Sequence, residues 1–481
     1  MRFIFLQKNR RKVSQRMPNK ANALIIAAVG GSVFAMHFGG SCMLWPVTWG
    51  QQSGSSVHVA YLGIFISAII FPWLAYLAVA REGTLFKIAS TSVNQKFAQL
   101  FGGLTVLVLG PLFAIPRMSA ASWDAISQIL GLEYSPLAAL LAFTITYYLI
   151  AFWFLFRRSQ VIDKIAKYLL PVLVVTIVAV VSKSLVSPMS ARVPQLFNES
   201  PFTYGFLNGY QTMDLPAALM FATLVVAGLS EGYGLKNSLL NRYLVLTAGF
   251  GFLLLGTSHF TQMLVGASTG ELFTDVSYAR LYATIILELW GPLGGAVFNV
   301  ALLFAALTSA VGLAGGTASY FEEASGGRLP YVACTAVTLL VSGLVSMVGL
   351  DEIIRLTAPI LDMIYPPAIV IVLFIAIAPR LRGARAGAAV SAFAWGLFEG
   401  AYGYASMFGA GSGLETVRSF FPGAEAGFGW VLITALGALV GHFMFGSKLK
   451  LDRQEEALFI SDHGMSGAKK ADELIRGRSD A

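Results

Sequence analysis

Twelve apolar runs, each long enough to cross a bilayer and joined by short polar connections, constrain this chain more than any single motif in it. A hydrocarbon layer about 30 Å thick needs roughly 20 apolar residues per helix. The runs lie at Asn22–Trp49, His58–Ala80, Lys96–Leu130, Ser135–Phe156, Ile165–Val186 and Phe206–Leu229. Six more follow at Tyr243–Ala267, Gly291–Tyr320, Tyr331–Leu350, Ile353–Ala378, Ala386–Tyr404 and Gly427–Phe445. Of 481 residues, 56% are hydrophobic and only 12% are charged. That balance belongs to an all-α polytopic membrane protein, because each span must satisfy its own backbone polar groups in lipid.

The net charge of +8 is a topology signal. With the N-terminus inside, inner loops carry thirteen Lys and Arg and outer loops five, which places both termini in the cytoplasm of a cell with this chain in its inner membrane. Residues 1–21 read as a retained basic arm, since the apolar run after them is too long for a signal peptide, and 446–481 as a mobile polar tail. No soluble basic domain exists to bind nucleic acid. Two distant cysteines, Cys42 and Cys334, support neither a disulfide framework nor a thiolate metal site.

Within the first run, HFGGSCMLWP (His37–Pro46) interrupts the apolar pattern with Gly39, Gly40, Ser41, Cys42 and a proline. Glycine costs a helix about 1 kcal/mol and proline about 3, and the freed backbone groups need partners in lipid. A broken helix offers a cavity the positive end of one half and the unpaired carbonyls of the other, and a kink relieved by neighbouring helices is the alternative reading of this stretch taken alone. The sixth run carries a second break, FLNGYQTMDLP (Phe206–Pro216). The first run points outward and the sixth inward, so breaks five helices apart indicate two inverted repeats, 22–186 and 206–378, followed by two further helices at 386–445. Between the seventh and eighth runs, Tyr278, Leu281, Tyr282, Ile285 and Leu289 recur at helical spacing, as in a lid or an interfacial anchor.

Thr308 and Ser309, with the carbonyl of Ala305 one turn earlier, could give an all-oxygen site for a monovalent cation, or simply bond back to their own helix. Arg117 stands deep in the third run, with Asp214, Asp362 and Asp124 as candidate partners, either as an outer gate or as a fixed lock between helices. Lys167 reads as a positive-inside anchor or as an ammonium reaching the cation position to couple protons. Glu399 falls outside the repeats and suits a scaffold or oligomer contact.

The segments GPLFAIPR (Gly110–Arg117), LNGYQTMDLPAALMFA (Leu207–Ala222), LTSAVGLAGGTASYF (Leu307–Phe321) and APILDMIYPPAIVIVL (Ala358–Leu373) resemble the branched-chain amino acid:cation symporters, also called branched-chain amino acid transport system II carrier proteins. The resemblance runs the length of the chain. It implies twelve helices in a LeuT-type fold with five-plus-five inverted repeats, and uptake of leucine, isoleucine and valine with sodium or protons. It also implies that carbonyls of Phe34 and His37 join Ala305, Thr308 and Ser309 around the cation. The break at Phe38, Gly39, Gly40, Ser41 and Cys42, with Tyr210, Thr212, Met213 and Asp214, would hold the amino acid's charged groups, and Met213 and Phe221 its apolar side chain. The chain departs from the family at the first break, where FVGAGNIIFPP is usual and HFGGSCMLWPV stands here, so that the usual asparagine falls on Cys42 or Ser41.

The expectation is therefore a secondary transporter working by alternating access, with no cofactor beyond the coupling ion, sodium or a proton, and with another apolar amino acid as the alternative substrate. An enzyme would need a HExxH, paired carboxylates or a nucleophile beside histidine, whereas His37, His58, His259, His442 and His463 are scattered. A channel would need a filter repeated around an axis, and a sensor an added signalling domain.

Overall fold

The computed structural model describes residues 19–445, apart from 131–136, 158–160, 170, 172, 173, 176, 177, 180, 181, 183–188, 274 and 277. Residues 1–18 of the basic arm, the tail and half of the fifth apolar run lie outside the described residues. Among the described residues the chain is helical, with no strand. The helices used below are α1 (Asn19–His37), α2 (Gly40–Ser53), α3 (Phe71–Glu82), α4 (Ala114–Leu130), α5 (Pro201–Asn208), α6 (Asp214–Ala227), α7 (Asn237–Ala267), α8 (Tyr278–Ala324), α9 (Leu350–Ile377), α10 (Arg382–Met407), α11 (Ser412–Ser419) and α12 (Gly429–Phe445).

Among the described residues, seven helical stretches are long and apolar enough to cross a membrane, and three shorter apolar helices accompany them. The helix count differs from the twelve expected runs because half of the fifth lies outside the described residues, and for two physical reasons. Continuous helical turns join neighbouring runs: Cys42–Glu82 is one stretch of 41 residues, about twice the hydrocarbon thickness at 1.5 Å per residue, and it breaks at Gly54 with φ of 48°. The eleventh run lies in α10, whose Arg-, Gly- and Ala-containing sequence is not among the seven apolar stretches.

Both expected interruptions are real breaks in the helices. In the first run α1 ends at His37 and α2 begins at Gly40. In the sixth, α5 gives way to a 3-10 turn, Gly209–Thr212, then to Met213 at φ 60°, ψ 17°, and α6 restarts at Asp214. A side chain in that left-handed region costs roughly 1–2 kcal/mol, so the surrounding packing must hold Met213 there. Pro216 is tolerated because it falls in the first turn of α6, where its missing N–H has no intrahelical partner to lose.

The stretch containing α5 and α6 is 94% buried over its most apolar window, against 28% for Leu137–Leu155. The sixth run is therefore the axis of the bundle and the fourth a lipid-facing flank. Helices α1, α3, α7, α8 and α9 pack around α6. α10 meets α12 through glycines: a Cβ at Gly387 would overlap the Gly437 carbonyl, and one at Gly441 the Gly383 carbonyl. Small residues of this kind let helices approach closely in lipid.

The segment expected as a lid or anchor is the first part of α8, which bends at Gly291 (φ 67°, ψ −169°) before Pro292. Leu281, Tyr282 and Ile285 are buried in the core, and the Tyr282 ring meets Phe298 at 4.8 Å. Its apolar face docks on the bundle.

Candidate functional site

The two breaks meet at a buried histidine–aspartate pair. His37, the last residue of α1, places Nδ1 2.7 Å from Oδ1 of Asp214, the first residue of α6, and the two side chains are 1% and 2% exposed. An isolated carboxylate at this depth would be costly, and the imidazole N–H supplies the hydrogen bond that makes its burial tolerable. Tyr76 of α3 brings Oη to 3.4 Å from His37 Nε2. Phe221 and Phe252 wall the imidazole, with ring centroids at 4.8 and 4.7 Å. The second carboxylate oxygen of Asp214 lies 3.9 Å from the Cys42 thiol.

A cavity of about 20 Å³ opens between the breaks. Gly39, Cys42, Thr212, Met213, Asp214 and Phe221 line it, together with Arg117 and Met118 of α4 and Ser309 of α8. The Thr212 hydroxyl donates to the Gly209 carbonyl at 2.9 Å and accepts from the Asp214 N–H at 3.3 Å, which ties the 3-10 turn to the start of α6. Arg117 donates to the Gln211 carbonyl at 3.4 Å. Its guanidinium thus reaches the sixth-run break.

The oxygens expected around a cation are engaged in hydrogen bonds. Thr308 Oγ1 donates to the Ala305 carbonyl of its own helix at 2.7 Å, whereas Ser309 Oγ donates across to the Met36 carbonyl at 2.5 Å. The carbonyls of Phe34 and His37 accept from the N–H groups of Phe38 and Gly39 at 2.7 and 2.8 Å. Gly39 is needed here, since a Cβ at this position would run into Ser309 Oγ. The structure therefore brings α8 against the end of α1 through Ser309, while Thr308 points back along α8.

Residues 21–448 match the family described as branched-chain amino acid transport protein. The chain belongs to this family. The branched-chain amino acid permease BraB of Bacillus subtilis (strain 168) is 28% identical over 426 residues, covering 86% of this chain and 94% of the permease. The branched-chain amino acid permease BrnQ of the same organism is 28% identical, covering 89% of this chain and 98% of the permease. The branched-chain amino acid transport system 3 carrier protein of Pseudomonas aeruginosa is 30% identical, covering 72% of this chain and 79% of the carrier. In fold, the chain is similar to a nucleobase-cation-symport-1 family transporter solved in a closed conformation with bromovinylhydantoin bound. The TM-score is 0.57 at 14% identity, over 88% of this chain and 93% of that one. A transporter family with no enzyme chemistry in its description, and an integral membrane protein, are the consequences.

Other residues singled out in this family member are spread more widely. Phe38 is buried and stacks on Phe34 at 5.1 Å between centroids, and Gly40 is buried beside Met118. The side chain of Ser41 lies outside the described residues. Tyr210 turns away from the central cavity and lines a second one together with Asp362, so Arg117 and Asp362 face different spaces. Lys167 is exposed, its ammonium 4.9 Å from the centre of the Tyr168 ring, and it is not among the residues lining the central cavity. Glu399 pairs with Arg418 at 3.0 Å.

Two partners were beyond sequence reasoning. Only the carbonyl of His37 was assigned a role, yet its imidazole binds Asp214. The available signal was the departure itself, since a histidine stands where the family pattern has phenylalanine, and a polar ring in a membrane helix needs a partner. Tyr76 carried no signal at all.

Proposed function

We propose that this protein imports leucine, isoleucine and valine together with a monovalent cation, sodium or a proton, across the cell membrane by alternating access. The observation that carries the reading is the meeting of two interrupted helices at one buried carboxylate, Asp214, in a chain of the branched-chain amino acid transport family. Asp214 would receive the substrate ammonium. The substrate carboxylate would lie at the N-terminal end of α2, where unpaired N–H groups and the helix dipole favour an anion. Met213 and Phe221 would face the apolar side chain.

A cavity of about 20 Å³ has room for a water but not for an amino acid, since an apolar cavity that takes benzene measures about 150 Å³. Substrate binding therefore requires the breaks to part, which is the movement alternating access needs. A cation at Ala305, Thr308 and Ser309 with the end of α1 would replace the Ser309–Met36 hydrogen bond. Ion and substrate binding would then favour each other by linkage, with no covalent step. Both termini would be cytoplasmic.

Leucine uptake into proteoliposomes under an imposed sodium gradient and, separately, an imposed proton gradient tests the reading. Sodium-driven uptake reduced at least tenfold by Thr308→Ala and Ser309→Ala is the outcome for an alkali-ion site. Proton-driven uptake insensitive to both substitutions assigns coupling elsewhere. Absence of leucine, isoleucine and valine uptake under either gradient would refute the proposed substrate class.

A further inference from the structure

A second cavity, of about 310 Å³, lies between the end of α5, the 3-10 turn, α9, α10 and the connection from α11 to α12. Its charges do not balance. Arg418 donates through Nε to both oxygens of Glu399, at 3.0 and 3.2 Å, reaches the Ala424 carbonyl, and sits 5.0 Å over the Tyr402 ring. It is fully engaged and neutralises Glu399. Asp362 and Glu425, both open to the cavity, make no hydrogen bond or ion pair among the described residues. Three acidic side chains, Asp362, Glu399 and Glu425, thus stand on the described cavity wall against one cation, Arg418.

Buried polar atoms give an independent observation. The Tyr210 ring is 4% exposed and lines this cavity, and its hydroxyl has no partner at full hydrogen-bond geometry among the described residues. The indole N–H of Trp430, also on the cavity wall, is buried with no partner at full hydrogen-bond geometry and faces the Tyr210 hydroxyl. Native proteins leave few such groups, because each costs about 1–3 kcal/mol. Trp395 and Trp430 add aromatic surface on which a cation is favoured.

We propose that this cavity is a second ligand site, which takes a small primary amine on an apolar body through Asp362, the Tyr210 hydroxyl and the indole rings of Trp395 and Trp430. The excess of acidic side chains opposes a ligand carboxylate, so the site prefers a monoamine to a zwitterionic amino acid. The ammonium donates to Asp362 and Tyr210, and the apolar body meets the indoles. Tyr210 belongs to the sixth-run break and stacks on Tyr365 at 4.3 Å, and its neighbour Gln211 accepts from Arg117 of the central cavity. A ligand held on Tyr210 braces the break that must part for transport. Its effect on leucine transport, which rests on the function proposed above, is non-competitive inhibition.

The test uses the full chain in nanodiscs and 3-methylbutylamine, which is leucine without its carboxylate, followed by calorimetry and by tryptophan fluorescence. Saturable binding is expected, weakened at least tenfold by Asp362→Asn and several-fold by Glu425→Gln, with the fluorescence change reduced by Trp430→Phe. The neutral alcohol of the same skeleton, 3-methylbutanol, is expected not to saturate. Thermal unfolding of each variant separates lost binding from lost folding, and the exposed Glu425→Gln change provides a second reading if Asp362→Asn unfolds. The proposal is overturned by equal binding of the alcohol, by binding insensitive to both acidic-residue variants, by absence of saturation, or by displacement by leucine together with loss in Asp214→Asn, which would put the amine in the central cavity. Leucine counterflow by the unsubstituted protein is measured in parallel. Its absence refutes the transport reading and leaves the amine titration standing on its own.

Discussion

Replacing His37 with phenylalanine isolates what the pair between the two breaks contributes. The new ring would sit among Phe221 and Phe252, which already contact the imidazole at 4.8 and 4.7 Å, so the apolar surroundings suit it. The loss falls on Asp214, which is 2% exposed and keeps only the Cys42 thiol at 3.9 Å as a nearby donor. Removing the partner of a buried carboxyl group leaves it unsatisfied, at a cost of about 1–3 kcal/mol and more for a charged group. Asp214→Asn should cost less, since a neutral amide remains able to bond with the imidazole. The double variant His37→Phe with Asp214→Asn should recover at least about 2 kcal/mol of the sum of the single effects, as expected for groups in direct contact. Equilibrium unfolding in mixed micelles gives each term, and leucine binding on the same samples shows whether the pair also shapes the site. A His37→Phe variant within about 1 kcal/mol of the parent, or single effects that simply add, would refute the argument that His37 compensates a buried carboxylate.

Three further outcomes follow from the geometry. Gly39→Ala drives a methyl group into Ser309 Oγ; leucine uptake should fall at least tenfold, and Ser309→Ala in the same chain should restore part of it if the clash is the cause. Met213→Gly relieves the left-handed backbone at φ 60° but removes a side chain that is 3% exposed, and should lower thermal stability by about 2 kcal/mol; a gain of stability would show that the backbone strain outweighs the packing. Arg385, 1% exposed, donates to Glu82 at 2.6 Å, and Glu82→Gln should destabilise by about 3 kcal/mol; a change below about 1 kcal/mol would mean that the Thr91 carbonyl, 3.3 Å from Arg385, suffices.

Much of this architecture is legible before any coordinates. Apolar runs of about 20 residues declare membrane helices because lipid leaves the backbone no other partner. The glycines and prolines near His37–Pro46 and Phe206–Pro216 declare the breaks because glycine costs a helix backbone entropy and proline lacks the N–H donor, and the gaps at Phe38–Gly39 and Gly209–Met213 fall inside those segments. These are properties of neighbours in sequence. What the chain could not state is which helix faces meet. His37 and Asp214 are 177 residues apart and Ser309 and Met36 are 273 apart, and each contact depends on the rotation of one helix against another. Periodicity marks the break but not the partner that fills it. The same holds for Asp362, read from depth alone as a companion of Arg117 yet turned toward a different cavity, and for Lys167, whose ammonium stays over Tyr168. Local chemistry determined where the helices run and where they stop. Packing decided which polar groups they bring together, since a buried charge is satisfied by whatever helix lies beside it and not by its sequence neighbours.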